Sequence, residues 1–422
     1  MSSDQPVSAL DTADPGVTPS HPAYGVSLSP EVIRDIVSSG WPGSTVESIK
    51  PLGAGTSFNN KIYFLKMHHA DERVAFGWKD AVLKVNGTIY DGDKVQNEVA
   101  CLRLLEMYCP DLPIPRVLAW SETGASATFV SSTHAETKVL GETLPPDTAK
   151  RTEGWILTSR VPGSPVAPAE LDAAALASLA TQTADIVATW RQAIPPQPHC
   201  GSIQIRSGPT TNGITLTKPL GPGIPALAIQ GLLVEELKLA SPITNLHEYY
   251  TLKLQNKLNL LSTAPAYASN RHLLDPLREF LTVLPTLSFA TLPSTFCFTH
   301  YDLYPRNILV SGTQITGIVD WEFSGFFPAV DEFLDDWVDG DWPEEFYTTF
   351  LGRLEEQGVP TPRGSVDGDG WSTAYWVEKI VESAAPWWLP GDLDAEMVER
   401  GLRNAEGVVK QGLTRFGVVV LP

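Results

Sequence analysis

Thr299-His300-Tyr301-Asp302-Leu303-Tyr304-Pro305-Arg306-Asn307 forms a short polar loop between apolar segments, and a small hairpin after it ends at Asp320. A turn of this kind can bring Asp302, Asn307 and Asp320 to one spot. Such oxygen donors suit Mg2+, a hard ion that keeps some of its waters and takes phosphate oxygens. Phosphoryl transfer needs positioning, neutralised charge and a base for the acceptor hydroxyl. One carboxylate facing a hydroxyl (Asp302), one amide oxygen (Asn307) and a second carboxylate (Asp320) on the metal supply those parts. Taken singly, an Asp or Asn in a turn caps local backbone, and a lone His is more often a satisfied core residue. The joint spacing, followed by Trp321-Glu322 after an apolar strand, favours chemistry.

The segment resembles the H-x-D-x-x-x-x-N catalytic loop and the following I-x-D-W-E motif of the aminoglycoside phosphotransferase and choline kinase-like family. The matching residues are His300-Tyr301-Asp302 with Asn307, then Ile318-Val319-Asp320-Trp321-Glu322. The resemblance implies that Asp302 is the catalytic base, that Asn307 and Asp320 hold Mg2+, and that His300 braces the loop. Where the family usually has glycine between the His and the Asp, this chain has Tyr301.

The N-terminal half is similar in the same sense. Ala81-Val82-Leu83-Lys84-Val85 sets Lys84 mid-strand, where a charge among apolar neighbours is costly unless paired. It resembles the V-A-I-K strand, whose Lys contacts the α- and β-phosphates of ATP. Glu98, on the next helix, is the best placed partner, with Glu106 as the alternative. Gly53-Ala54-Gly55-Thr56-Ser57 lies between two strand-like runs, as a nucleotide-covering turn does; the resemblance puts Gly53, Gly55, Thr56 and Ser57 near the phosphates. Ile156 to Gly163 resembles the hinge, whose backbone near Ser159 and Arg160 would take the adenine edge.

The elements that position these residues fall into two parts. A Ser29 cap and Pro30 open a short helix to Val37. Strand-like runs follow at 46–52, 62–67 and 81–85, then a helix at 94–108, a strand at 116–120, a polar Ser/Thr-rich stretch at 121–137 and a strand at 154–160. From Pro168 helices dominate, at 168–194, 246–261, 276–284, 344–355, 373–383 and 394–413, with a strand pair at 308–310 and 315–319; 201–225 is Gly/Pro/Thr-rich and unassigned. The expectation is an α+β, bilobal protein-kinase-like fold. It comprises a disordered tail (1–28), an N-lobe of antiparallel sheet plus helix (29–163) and a larger, mostly helical C-lobe (164–422) that holds the catalytic loop and the acceptor region.

The 422 residues are 43% hydrophobic and 19% charged, with a formal net charge of −19. That balance argues against nucleic-acid binding, which needs basic surface. Four cysteines without C-x-x-C spacing read as small apolar residues of a reducing compartment. No secretory signal or membrane-length apolar run is found, so a soluble, cytoplasmic protein is expected. The acidic residues from Asp331 to Glu345 are either the wall of an acceptor pocket or a solvated face, and Trp371, Tyr375, Trp376, Trp387 and Trp388 either line a pocket or form a core face. The expected function is ATP-dependent phosphorylation of a hydroxyl on a small molecule, an amine-bearing one included. The alternative is a catalytically silent kinase-like nucleotide-binding module. A protein kinase is disfavoured, since D-F-G and A-P-E are absent. Neither the acceptor nor the oligomeric state is legible.

Overall fold

Strict alternation in two neighbouring runs sets the first sheet. Tyr63, Leu65 and Met67 in one, and Ala81, Leu83 and Val85 in the other, are all buried in one core, while the residues between them face the other side. In the computed structural model these runs are β2 (Asn60–His68) and β3 (Asp80–Asn86), with β1 (Thr45–Pro51) before them. The described residues are 21–53, 57–69, 78–130, 135–140, 154–206, 214–215, 226–229, 231–239, 241–333, 342–387, 389 and 395–420. Together with β4 (Val117–Ser121), β5 (Ser126–Val130), β6 (Ala135–Val139) and β7 (Trp155–Ser159), they build a seven-stranded antiparallel sheet in the order β1-β2-β3-β7-β4-β5-β6.

Helix α1 (Pro30–Gly40) starts where Ser29 accepts the Val32 amide, and buries Val32, Ile33, Ile36 and Val37 against this sheet. Of the tail expected to be disordered, residues 1–20 lie outside the described residues. Leu28 is buried in the same core and its amide donates to the Tyr63 hydroxyl, while the Pro22 carbonyl accepts from Thr88. Packing therefore starts before Ser29. Helix α2 (Asp91–Tyr108) follows β3.

The polar stretch after β4 is not a loop throughout, because β5 and β6 pair within it. Ala127 and Phe129 point to the core, and Thr128 shares a hydroxyl bond with Thr137. Thr reads as polar, yet its branched side chain suits a pleated surface.

The described residues gather into two compact units. The first takes those of Met1–Val99 and Arg116–Arg160, and the second those of Ala100–Pro115, Val161–Leu220 and Pro225–Pro422. In the second, β8 (Ser164–Pro165) leads to α3 (Ala173–Ala193), whose Asp172 caps the Ala175 amide. The unassigned 201–225 region contributes β9 (Gly201–Arg206) and β10 (Ile214–Thr215), which join β11 (Ala226–Ile229). With β12 (Cys297–Thr299) and β15 (Gly325–Phe327) they form an antiparallel sheet in the order β10-β11-β9-β15-β12. A third, small sheet sets β14 (Gln314–Ile318) and β8 on either side of β13 (Ile308–Ser311). Among the described residues the remaining helices are α4 (Leu246–Thr263), α5 (Leu274–Val283), α6 (Glu344–Glu356), α7 (Gly370–Ala384) and α8 (Ala395–Arg415). All four cysteines are free thiols, and no described helix is long and apolar enough to cross a membrane.

Candidate active site

In the first unit, register decides where Lys84 points. It shares a cross-strand row with Ile62 of β2 and Ile156 of β7, on the face opposite Leu83 and Val85. There its ammonium meets Glu98 of α2 at 3.0 Å, both side chains being about nine-tenths buried (11% and 9% exposed). Glu106, the alternative partner, pairs with Arg103 instead. A second lysine on α2, not singled out from sequence, serves the same corner. Lys94 is buried and donates to Asn60 Oδ1 at 2.7 Å and to the Asn59 carbonyl at 3.1 Å. It thereby ties α2 to the start of β2. Of the residues expected to cover the phosphates, Gly53 and Ser57 are described, whereas Gly55 and Thr56 lie outside the described residues.

Ser159 ends β7 and Arg160 follows it, but their amides do not stay available for a base. Ser159 N–H donates to the Arg116 carbonyl at 2.8 Å and Arg160 N–H to the Asp80 carbonyl at 3.0 Å. The Ser159 hydroxyl oxygen also accepts the Arg116 amide, and the Arg160 guanidinium lies over Phe64. Sheet closure thus uses both N–H groups.

In the second unit the loop after β12 is built around His300, which is fully buried. Its Nδ1 accepts the Asp302 amide at 3.2 Å, so Nε2 carries the proton and donates to the Val319 carbonyl at 3.1 Å. One imidazole thus joins the residue before Asp320 to the loop that carries Asp302. Its ring lies 4.4 Å from Trp321. The loop is held from behind as well: the Ser324 hydroxyl donates to the His300 carbonyl at 2.9 Å, and the His300 amide donates to Glu332 at 3.2 Å. Glu332 in turn is ion-paired at 3.1 Å with Arg191 of α3, both nearly inaccessible.

Asn307 donates its side-chain nitrogen to Asp302 twice, to the carbonyl and to Oδ2, each at 2.8 Å. Val319 donates its amide to the Asn307 carbonyl, so loop and hairpin are laced together. Asp320 adopts left-handed backbone, φ 69° and ψ 55°, at the entry to a single 3-10 turn. The Asp302 carboxyl is pushed up to about 7, chiefly by burial, with the Asp320 and Glu322 carboxylates adding to it. Arg306, paired with it at 2.6 Å, and Asn307 act in the opposite sense. Asp302 and Asp320 therefore feel each other's charge, and a cation between such groups would relieve it. With the Asn307 nitrogen engaged, its side-chain oxygen is the atom left to accept. Among the described residues no three His, Cys, Asp or Glu side chains gather to cage a metal.

The acidic segment after the hairpin divides. Asp331 and Glu332 are buried, the first accepting from the Tyr249 hydroxyl, so neither belongs to a solvated face; Glu344 and Glu345 open α6; Asp335, Asp336, Asp339 and Asp341 lie outside the described residues. Trp371 packs against Phe333 in the core, Tyr375 and Trp376 lie edge to face, and Trp387 is exposed; Trp388 lies outside the described residues.

Residues 49–364 match the phosphotransferase enzyme family (APH). The chain belongs to that family. It is accordingly a small-molecule phosphotransferase with the bilobal kinase-like α+β fold. No curated protein matches the sequence. Among solved structures, ADP-bound aminoglycoside phosphotransferase APH(2'')-Ib superposes with a TM-score of 0.51 at 11% identity, over 92% of this chain and 99% of that one. The streptomycin-ATP-APH(2'')-IIa ternary complex gives 0.50 at 12% identity, over 91% and 99%. At such identities the likeness is one of fold. The phosphotransferase also carries buried groups that motif spacing did not point to: Lys94, Arg191, and the Lys253 and Lys257 pair of α4. The last had a readable sign. Lys253 and Lys257 fall on the buried stripe of α4 and Glu378 and Glu382 are spaced alike on α7, so each i, i+4 pair matches its opposite.

Proposed function

We propose that this phosphotransferase moves the γ-phosphoryl group of ATP to a hydroxyl of a small molecule, with Asp302 as the base. Asn307 and Asp320 hold Mg2+, Lys84 steadied by Glu98 takes the α- and β-phosphates, and the 53–57 turn covers them. The observation that supports this best is the Asp302 carboxyl, largely buried and bracketed by Asn307 and Asp320 on a loop braced by His300, in a chain of this family. When bound, Mg2+ supplies charge neutralisation at the phosphate oxygens. Asp302 accepts the proton of the acceptor hydroxyl as the oxygen attacks phosphorus. Asn307 fixes that carboxylate through Oδ2, so it meets the acceptor in one orientation. The base contact falls to groups at the end of β7 other than the two engaged amides.

An amine-bearing acceptor fits the net charge of −19, and the names of the solved relatives speak of aminoglycosides and of streptomycin. ADP release from MgATP, measured against aminoglycosides, choline, amino alcohols and sugars, identifies the acceptor by its dependence on one of them. Asp302→Asn is expected to lower kcat by about a thousandfold or more with nucleotide binding retained. Asp320→Ala, or EDTA on the unaltered protein, is expected to remove the metal-dependent part of nucleotide binding. Undiminished turnover in both variants would overturn the assignment. The retained Lys84, Asp302, Asn307 and Asp320 disfavour a silent nucleotide-binding module.

A further inference from the structure

Tyr301 stands immediately before Asp302 with φ 72°, one of four non-glycine residues in the left-handed region among those described. A side chain disfavours that conformation, so contacts away from the backbone must hold the turn. The Tyr301 ring rests on Phe327, centroids 4.9 Å apart, and the Lys253 ammonium donates to its hydroxyl at 3.3 Å. Lys253 is in turn fixed on α4: its side chain is 1% exposed, donates to Glu378 and is ion-paired at 3.3 Å with Glu382, both on α7. A small cavity lined by Glu235, Tyr249 and Phe327 lies against both residues. The Phe327 contact and the hydroxyl bond to Lys253 together hold the ring in place.

We propose that Lys253 and Tyr301 are a positioning pair, in which the buried ammonium holds the tyrosine hydroxyl and the anchored side chain keeps the left-handed turn that presents Asp302. The pair touches no reacting atom and acts through the loop. It rests on the reading of Asp302 as the base. A glycine would reach the same backbone without an anchor; here the anchor couples the loop to helices α4 and α7.

The test combines amide hydrogen exchange with turnover of MgATP alone, water being the acceptor. The reporter amides are those of Asp302, which donates to His300, and Val319, which donates to Asn307. In Tyr301→Phe both should exchange about tenfold faster while the β2 and β3 amides keep their protection, and kcat should fall about tenfold at unchanged KM for ATP. Tyr301→Ala, unanchored and still strained, should lose more on both measures. Tyr301→Gly should recover relative to Ala, because glycine takes positive φ freely. Equal behaviour of Phe, Ala and Gly, or a loss of protection spread evenly over the chain, overturns the proposal. Full turnover in Asp302→Asn would instead overturn the reading of the base, and the exchange measurement decides the positioning pair independently of it.

Discussion

At the residue scale, the Lys84–Glu98 pair shows how a charge is kept within a sheet. Both side chains are nearly buried, so removing one partner leaves the other desolvated and uncompensated. Glu98→Gln is therefore expected to raise KM for ATP by about tenfold, because the ammonium loses the carboxylate that aims it. Steady-state kinetics at varied ATP check this, and an unchanged KM would detach Lys84 from the nucleotide. Asp302 works by the opposite device. Burial and nearby carboxylates hold its proton affinity above that of an exposed aspartate, while Asn307 and Arg306 keep the ionised form accessible.

At the scale of elements, the loop between β12 and β13 takes its shape from neighbours on both sides of it in sequence. His300 reaches the end of the hairpin, Ser324 reaches back to His300, and Glu332 joins the loop to α3 through Arg191. Burial raises the Glu332 pKa from its ordinary value, and the paired Arg191 acts in the opposite sense. Glu332→Gln should cost about 3 kcal/mol in urea denaturation, since it strands a buried guanidinium. The exposed Glu399, paired with Arg403 at 3.3 Å on α8, gives the contrast: Glu399→Gln should leave the midpoint unmoved. Equal shifts in the two variants would deny the loop its special support.

At the scale of the whole molecule, four carboxylates (Glu235, Asp331, Glu378, Glu382) meet two ammonium groups (Lys253, Lys257) inside the second unit. Burial dominates two of them: Glu378 is pushed up to about 8 and Asp331 to about 6. Lys253, surrounded by carboxylates, stays charged. A folded-state pKa above the unfolded one means that the native protein holds a proton which the unfolded chain has lost. Stability from these groups is then present below the carboxylate's ordinary range and is lost as pH rises toward 8. Thermal melts from pH 5 to 8 should show Tm falling, and Glu378→Gln should flatten that slope. A slope identical in the two proteins would count against the buried proton.

Motif order and strand alternation in the sequence alone determined the family, the fold class and most elements, because loop spacing and two-residue periodicity are local properties. The Ser29 cap, the three strands before α2, the last of them carrying Lys84, and the pair around Ser311-Gly312-Thr313 were legible on that ground. The β5–β6 hairpin and the sheet through β9 were not, since Thr and Gly read as loop until partner strands give them a ladder, although Ile203 and Ile205 already alternate. Tertiary structure alone decided that Lys84 meets Glu98 and not Glu106, and that the end of β7 uses its own amides. Only there does Glu332 become a buried support for the loop that carries Asp302. The departure at Tyr301 likewise becomes an anchored left-handed turn. Each of these depends on a partner far away in the chain, and burial and pairing belong to the folded whole.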